Sequence, residues 1–201
     1  MELSSSDSIA ILSFAEQPEY PRLSRELLRE LRDHLRALCS SGAFRGIVIA
    51  SNSRSFAVGA KLEEVTALTG VAAFEFARFG QSVCSEIARS PSLVVAAIRG
   101  FCLGRGLDLA MACHGRVAAY DASFGSPGAT LGLVTGWGGT GRLPRRVGRS
   151  TALQMLITGE RMPATQALTA GLVDELAATA DLLPAAVRHV RTVLASRRRS
   201  V

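Results

Sequence analysis

The chain has 201 residues, 48% hydrophobic and 20% charged, a balance that supplies a core and excludes wholesale disorder. No apolar run in it reaches the roughly 18 residues of a membrane-spanning helix. Lys and Arg number 23 against 17 Asp and Glu, for a net charge of +6, but no aromatic residue interleaves with the Arg groups at 142–149 and 188–199, so a base-stacking surface is not expected and nucleic acid is an unlikely partner.

The first seven residues are Ser-rich and acidic. They lack the basic region and apolar stretch of a secretory signal, so a cytoplasmic location is expected. Residues 8–14 (SIAILSF) alternate and read as a strand. Residues 23–40 place Leu27, Leu28, Leu31, Leu35 and Leu38 at three- and four-residue steps, which predicts an amphipathic helix with Ser24 as its N-cap. Residues 46–51 (GIVIAS) read as a short buried strand, followed by a loop over 52–59. Residues 72–88 read as a helix with Phe76, Phe79, Val83 and Ile87 on one face, stopped by Pro91. Residues 92–98 (SLVVAAI) are almost wholly apolar, as in a strand covered on both faces.

A glycine-rich turn then occupies 100–106, a helix runs from about 106 to 114, and 116–120 reads as another strand. From 139 onward the pattern predicts short helices broken by Pro144, Gly148 and Gly159, then a helix over 165–170 that Gly171 ends. Residues 172–176 read as a short strand and 182–196 as a last helix. Strands alternate with helices, so the class is α/β. Cys39, Cys84, Cys102 and Cys113 form no CxxC pair and only three His are present; no metal site is expected, and buried free thiols are.

Two loops have the composition of a ligand site. Residues 55–62 (SFAVGAKL) follow the strand at 46–51, and residues 99–108 (RGFCLGRGLD) follow the strand at 92–98. In open α/β sheets ligands bind beyond the carboxyl ends of strands, and the second loop also opens a helix whose first N–H groups lack internal partners. Gly104-Arg105-Gly106 lacks the third glycine of a dinucleotide fingerprint, and no glycine-rich loop ends in Gly-Lys-Ser/Thr. Asp108, taken alone, is either a first-turn helix carboxylate or a catalytic acid.

Four blocks carry a resemblance: IVIASNSRSFAVGAKLEEV (47–65), VVAAIRGFCLGRGLDLAMAC (94–113), ASFGSPGATLGLVTGWGGTGRLPRRVG (122–148) and ALQMLITGERMPATQALTAGLVDEL (152–176). In order and spacing they resemble the crotonase superfamily, the enoyl-CoA hydratases and isomerases. The resemblance implies a stack of ββα units with two roughly perpendicular sheets, here with an abbreviated C-terminal helical region. It divides the chain into a core at 1–180 and a short C-terminal helix with a basic tail at 181–201. It implies an acyl-CoA thioester as substrate, with coenzyme A as part of that substrate and no separate cofactor, and a homotrimer or paired trimers as the assembly.

By the same resemblance the backbone N–H groups of Ala60 and Arg105 hold the thioester oxygen as an enolate forms, and Asp108 is the acid/base. Ala57, Val58, Lys61 and Leu62 are the loop residues expected to meet the coenzyme A part; Lys61 either meets a phosphate there or is a solvated charge. Arg105 stands where the family usually has glycine. Gly128 stands where its hydratases carry a second glutamate, after Phe124-Gly125-Ser126-Pro127. Hydration of an enoyl thioester uses both carboxylates, so a malonyl-type thioester decarboxylase is the alternative reaction, and a non-catalytic protein that binds acyl-CoA, a partner or RNA is the alternative class. His114 is expected to be a structural partner at a helix end. Trp137, the one tryptophan, is expected in the core, with the lining of the acyl pocket as its other reading.

Overall fold

The computed structural model describes residues 1–15, 20–59 and 68–199, with Arg198 and Arg199 described through their backbone alone. The chain enters on strand β1 (Glu2–Ser6), which turns through Asp7 and Ser8 into β2 (Ile9–Phe14) as an antiparallel pair. Asp7 takes φ 52° there, as two-residue hairpin loops require. The sequence pattern misses β1 because its residues are mainly exposed serines, so backbone pairing alone makes it a strand. Helix α1 (Arg25–Ser41) begins where expected: Leu27 N–H donates to Ser24 Oγ at 3.2 Å, and Leu28, Leu31, Leu35 and Leu38 are buried along one face.

Strand β3 (Gly46–Ser51) and β4 (Leu93–Ile98) flank helix α2 (Gly70–Ala88) in the chain. Thr69 caps α2 by accepting from Ala72 N–H at 3.3 Å, which starts it two residues earlier than its apolar period suggests. After β4 come β5 (Phe101–Leu103), helix α3 (Arg105–Ala112), β6 (Gly115–Ala119), β7 (Ser123–Gly125) and a 3₁₀ turn at Pro127–Leu131. Helices α4 (Gly139–Val147) and α5 (Arg149–Thr158), strand β8 (Met162–Pro163), helix α6 (Ala164–Thr169), strand β9 (Glu175–Ala177) and helix α7 (Leu182–Arg199) complete the described chain.

The main sheet has the order β1-β2-β3-β4-β6-β9 and is parallel except for the β1–β2 pair. Period-two geometry sends alternate residues to opposite faces. Val94, Ala96 and Ile98 join Ile47 and Ile49 in the core beneath α1 and α2, while Leu93, Val95 and Ala97 join Val48 in a second core. Ala185, Ala186 and Val190 of α7 close that second core. This two-sided cover is why β4 is apolar throughout. A smaller sheet, β5-β7-β8, sits apart and carries the turn into α3. The resulting α/β architecture of two sheets with surrounding helices agrees with the class expected.

Two expectations change. Pro144 does not break α4, which runs through it. The hydrogen bond Pro144 forgoes would have gone to the carbonyl of Thr140, an exposed residue of the first turn that water can serve. The strand expected at 172–176 is confined to β9, because the preceding residues serve the buried Arg116. The Arg116 Nε donates to Leu172 O at 2.6 Å and its Nη2 to Asp174 Oδ2 at 3.0 Å, and Arg116 N–H donates to the same Oδ2 at 2.7 Å. All four cysteines are free; Cys84, Cys102 and Cys113 are buried as expected, whereas Cys39 is only half-buried. Among the described residues no helix is long and apolar enough to cross a membrane.

Candidate active site

The two loops singled out in the sequence are hydrogen-bonded to one another. Ala57 N–H donates to Phe101 O at 3.2 Å and Leu103 N–H donates back to Ala57 O at 3.0 Å, so Ala57 and Cys102 form a parallel bridge. Phe56 N–H donates to Arg99 O at 2.9 Å, and Phe101 N–H to Ser55 Oγ at 3.0 Å. Arg99 secures the preceding loop by donating from Nε to Ser53 O at 2.7 Å and from Nη2 to Asn52 O at 2.8 Å. Gly106 allows the close approach: a Cβ there would lie 2.2 Å from Ala57 O.

This places the predicted residues as follows. Ala57 is fully buried, and its N–H and C=O are both spent on the bridge. Val58 is half-buried and donates its N–H to Pro21 O at 2.9 Å. Ala60, Lys61 and Leu62 lie outside the described residues. Arg105 is the first residue of α3, where an N–H has no partner within the helix. The positive φ of the turn falls on Gly104, at 55°, and not on Arg105. An arginine therefore fits the backbone without left-handed strain. Its guanidinium rests 4.5 Å from the centre of the Phe76 ring and 5.1 Å from that of Trp137.

Asp108, one turn further along α3, is 1% exposed. The Thr135 hydroxyl and the Trp137 N–H, the latter at 3.2 Å, both donate to its Oδ2. On the other side Gly139 is packed so closely that a Cβ on it would be 2.2 Å from Oδ1. Burial pushes the Asp108 pKa up from 3.8 to about 6, against the pull of the two hydrogen bonds and of Arg142 and Arg105. Near neutral pH this carboxyl therefore has both protonation states within reach.

The remaining candidates are structural. Trp137 is buried, edge-on to Phe76 at 5.8 Å between centroids, and Arg142 Nη1 donates to its carbonyl at 2.7 Å. His114 Nδ1 accepts from Val94 N–H at 2.9 Å, and burial lowers its pKa. Gly128 lies on the 3₁₀ turn, where a Cβ would meet Leu133 O at 3.3 Å. Thr135 and Phe76 are the site neighbours that sequence reasoning did not assign. Thr135 lies 27 residues from Asp108 in the chain, and no spacing signals the contact. Among the described residues no cluster of three or more His, Cys, Asp or Glu could hold a metal ion.

Comparison with known proteins gives matches over nearly the whole chain. A family model described as enoyl-CoA hydratase/isomerase matches residues 4–201. The solved structure of an enoyl-CoA hydratase from Bacillus anthracis is 28% identical, with a TM-score of 0.90 over 96% of this chain and 76% of that one. An enoyl-CoA hydratase from Polaromonas sp. JS666 is 28% identical with a TM-score of 0.89, over 95% of this chain and 76% of the other. DspI from Pseudomonas aeruginosa is 27% identical with a TM-score of 0.90, over 96% and 74%.

Proposed function

The chain belongs to the enoyl-CoA hydratase/isomerase family, and from that premise we propose that it binds acyl-CoA thioesters and stabilises their enolate form with the N–H groups of Ala60 and Arg105. The observation that carries this reading is the bridge between Ala57 and Cys102, which holds the two loops side by side. A Cβ on Gly104 would lie 3.7 Å from the Cα of Gly59, the residue before Ala60. The start of α3 and the approach to Ala60 thus share one region. Each donor aimed at the developing oxyanion is worth about 2.7–4 kcal/mol in the transition state.

Asp108 is the acid/base of this reading. As the neutral acid it gives a proton to the α-carbon of the enolate, and as the carboxylate it takes one from the attacking water. Its pKa of about 6 suits both roles. Gly128 provides no second carboxylate, and this favours a second reading. Loss of carbon dioxide from a malonyl-type thioester forms the same enolate without removal of an α-proton, so it needs the oxyanion donors and one proton source. A homotrimer or pair of trimers, acting in the cytoplasm, belongs to the proposal as well.

A turnover screen of the purified protein with crotonyl-, 3-enoyl- and malonyl-type CoA thioesters tests it. Crotonyl-CoA should be hydrated below the on-the-order-of 10 s⁻¹ of an ordinary enzyme. Measurable consumption of any of the three supports the enzymatic reading. Tight binding with no turnover of any leaves a non-catalytic acyl-CoA binder, and no binding overturns the proposal.

A further inference from the structure

The acid/base of the proposed chemistry is sealed. Asp108 is 1% exposed, and both of its oxygens are covered. Its Oδ2 accepts from the Thr135 hydroxyl and the Trp137 N–H, and its Oδ1 lies against Gly139, where a Cβ would come within 2.2 Å of it. A carboxyl so placed reaches water or a substrate carbon only through a neighbour. We infer that Thr135 is a catalytic residue, a hydroxyl relay that carries protons between Asp108 and the reacting molecule. The inference rests on the acyl-CoA reading above and supplies the proton path that it needs.

Thr135 has the position and the chemistry for this task. It is half-buried in a stretch whose residues 131–134 and 136 are exposed, so it stands between the sealed carboxyl and open space. Trp137, two residues on, packs against the side chain of Arg105, so the stretch borders the proposed site. A hydroxyl has one proton to give and two lone pairs with which to accept. The Thr135 proton goes to Asp108 Oδ2, and among the described residues no group donates to its oxygen. Gly139 leaves room for the side chain, since a Cβ there would lie 2.7 Å from Thr135 Cγ2 and 3.0 Å from Oγ1. The other ionisable groups around Asp108 are poor rivals. Arg142 and Arg105 are cations with no acceptor, and burial holds the Cys84 thiol up at about 12.

In hydration, the oxygen of water bonds the β-carbon and the C=C electron pair moves into the enolate. The proton that water sheds goes to Thr135 Oγ1 as the hydroxyl's own proton goes to Asp108 Oδ2. The path then runs backwards. Asp108 returns its proton to Oγ1 and the hydroxyl hands one to the α-carbon, which leaves Asp108 ionised and the product heavier by one water. Loss of carbon dioxide uses the second half alone, with Asp108 starting as the neutral acid and regaining its proton from water through Thr135.

Single-turnover kinetics with whichever of crotonyl-, 3-enoyl- and malonyl-type CoA the wild-type protein consumes test the relay. A relay moves two protons together, so the rate should fall along a curve as D₂O replaces H₂O, whereas direct transfer moves one and gives a straight line. A straight or flat line overturns the inference and leaves the acyl-CoA reading standing, and this arm needs no variant to fold. Thr135→Val keeps the shape and removes the hydroxyl. It should lower the single-turnover rate about 10²-fold or more with acyl-CoA affinity, from calorimetry, within about 2-fold of wild type, and Thr135→Ser should recover most of the loss. A Thr135→Val protein that turns over as fast as wild type also overturns the relay. If the wild-type protein consumes none of the three thioesters, the enzymatic reading falls and the relay falls with it.

Discussion

Asp108 couples the site to stability. Its folded pKa of about 6 lies above its ordinary 3.8, so between those values the folded state holds a proton that the unfolded chain has released. Stability contributed by this group is therefore full below about pH 4 and is lost as pH rises through 6, a total of about 3 kcal/mol. Asp108→Asn keeps an oxygen acceptor for the Trp137 N–H and removes the titration. The stability of wild type relative to Asp108→Asn, from urea unfolding, should fall as pH goes from 4 to 7, and a flat difference would show that the carboxyl is not raised. Gly128 makes a second residue-level prediction. A glutamate there must shift Leu133 by a few tenths of an ångström, since a Cβ would sit 3.3 Å from its carbonyl oxygen, and Gly128 is not among the positive-φ glycines. Gly128→Glu should fold and raise crotonyl-CoA hydration by about 10²–10⁴-fold, the worth of a positioned acid or base. Legibility at this scale was uneven. His114 and Trp137 could be read as structural because a single His at a helix end and a single Trp among glycines have ordinary packing roles. Thr135 could not be found, because its one informative property is a hydroxyl that meets Asp108 only after the chain has folded back.

Among the elements, the junction of loop and helix is held by shape and by backbone pairing. Gly106→Ala would drive a methyl to 2.2 Å from Ala57 O and push α3 away from the bridge. We expect a loss of about 1–3 kcal/mol together with weakened acyl-CoA binding, measured by thermal unfolding and by titration on the same sample. Arg116 is the second such joint. It is fully buried and reaches Leu172 O, Cys113 O and Asp174 at once. Arg116→Ala opens a cavity and leaves the buried carbonyls of Leu172 and Cys113 without their donor, while the exposed Asp174 turns to water, and should cost about 2–5 kcal/mol, read as a lower urea midpoint at unchanged slope. Elements with a strong apolar period were legible to within two residues: α1, β3 and β4 fall where their patterns put them. The boundaries that moved are those set by partners distant in sequence, namely Arg116 for the start of β9 and β2 for the existence of β1.

For the molecule as a whole, the alternation of apolar strand-length runs with helical ones carried the α/β class. The assembly is less legible, and exposed apolar residues are the guide to it. Val134 is 77% and Ile157 65% exposed, and Leu131 and Leu153 are exposed too. Surfaces of this kind call for cover. Light scattering at tens of micromolar, roughly the range where such contacts form, should give the mass of three chains or a multiple of it, and Ile157→Asp should lower that mass if the α5 face is part of the contact. A monomer at that concentration would count against the trimer. The sheet order also bears on how the chain is made. The edge strand β9 is parallel to β6, and Arg116, at the near end of β6, waits for Asp174, 58 residues downstream. During synthesis β6 is therefore complete but unpaired on its outer side until residues 175–177 have emerged, with an arginine beside it whose carboxylate does not yet exist. A nascent chain paused between residues 120 and 174 presents an open, apolar parallel edge, the type of surface on which chaperones act and from which aggregates start.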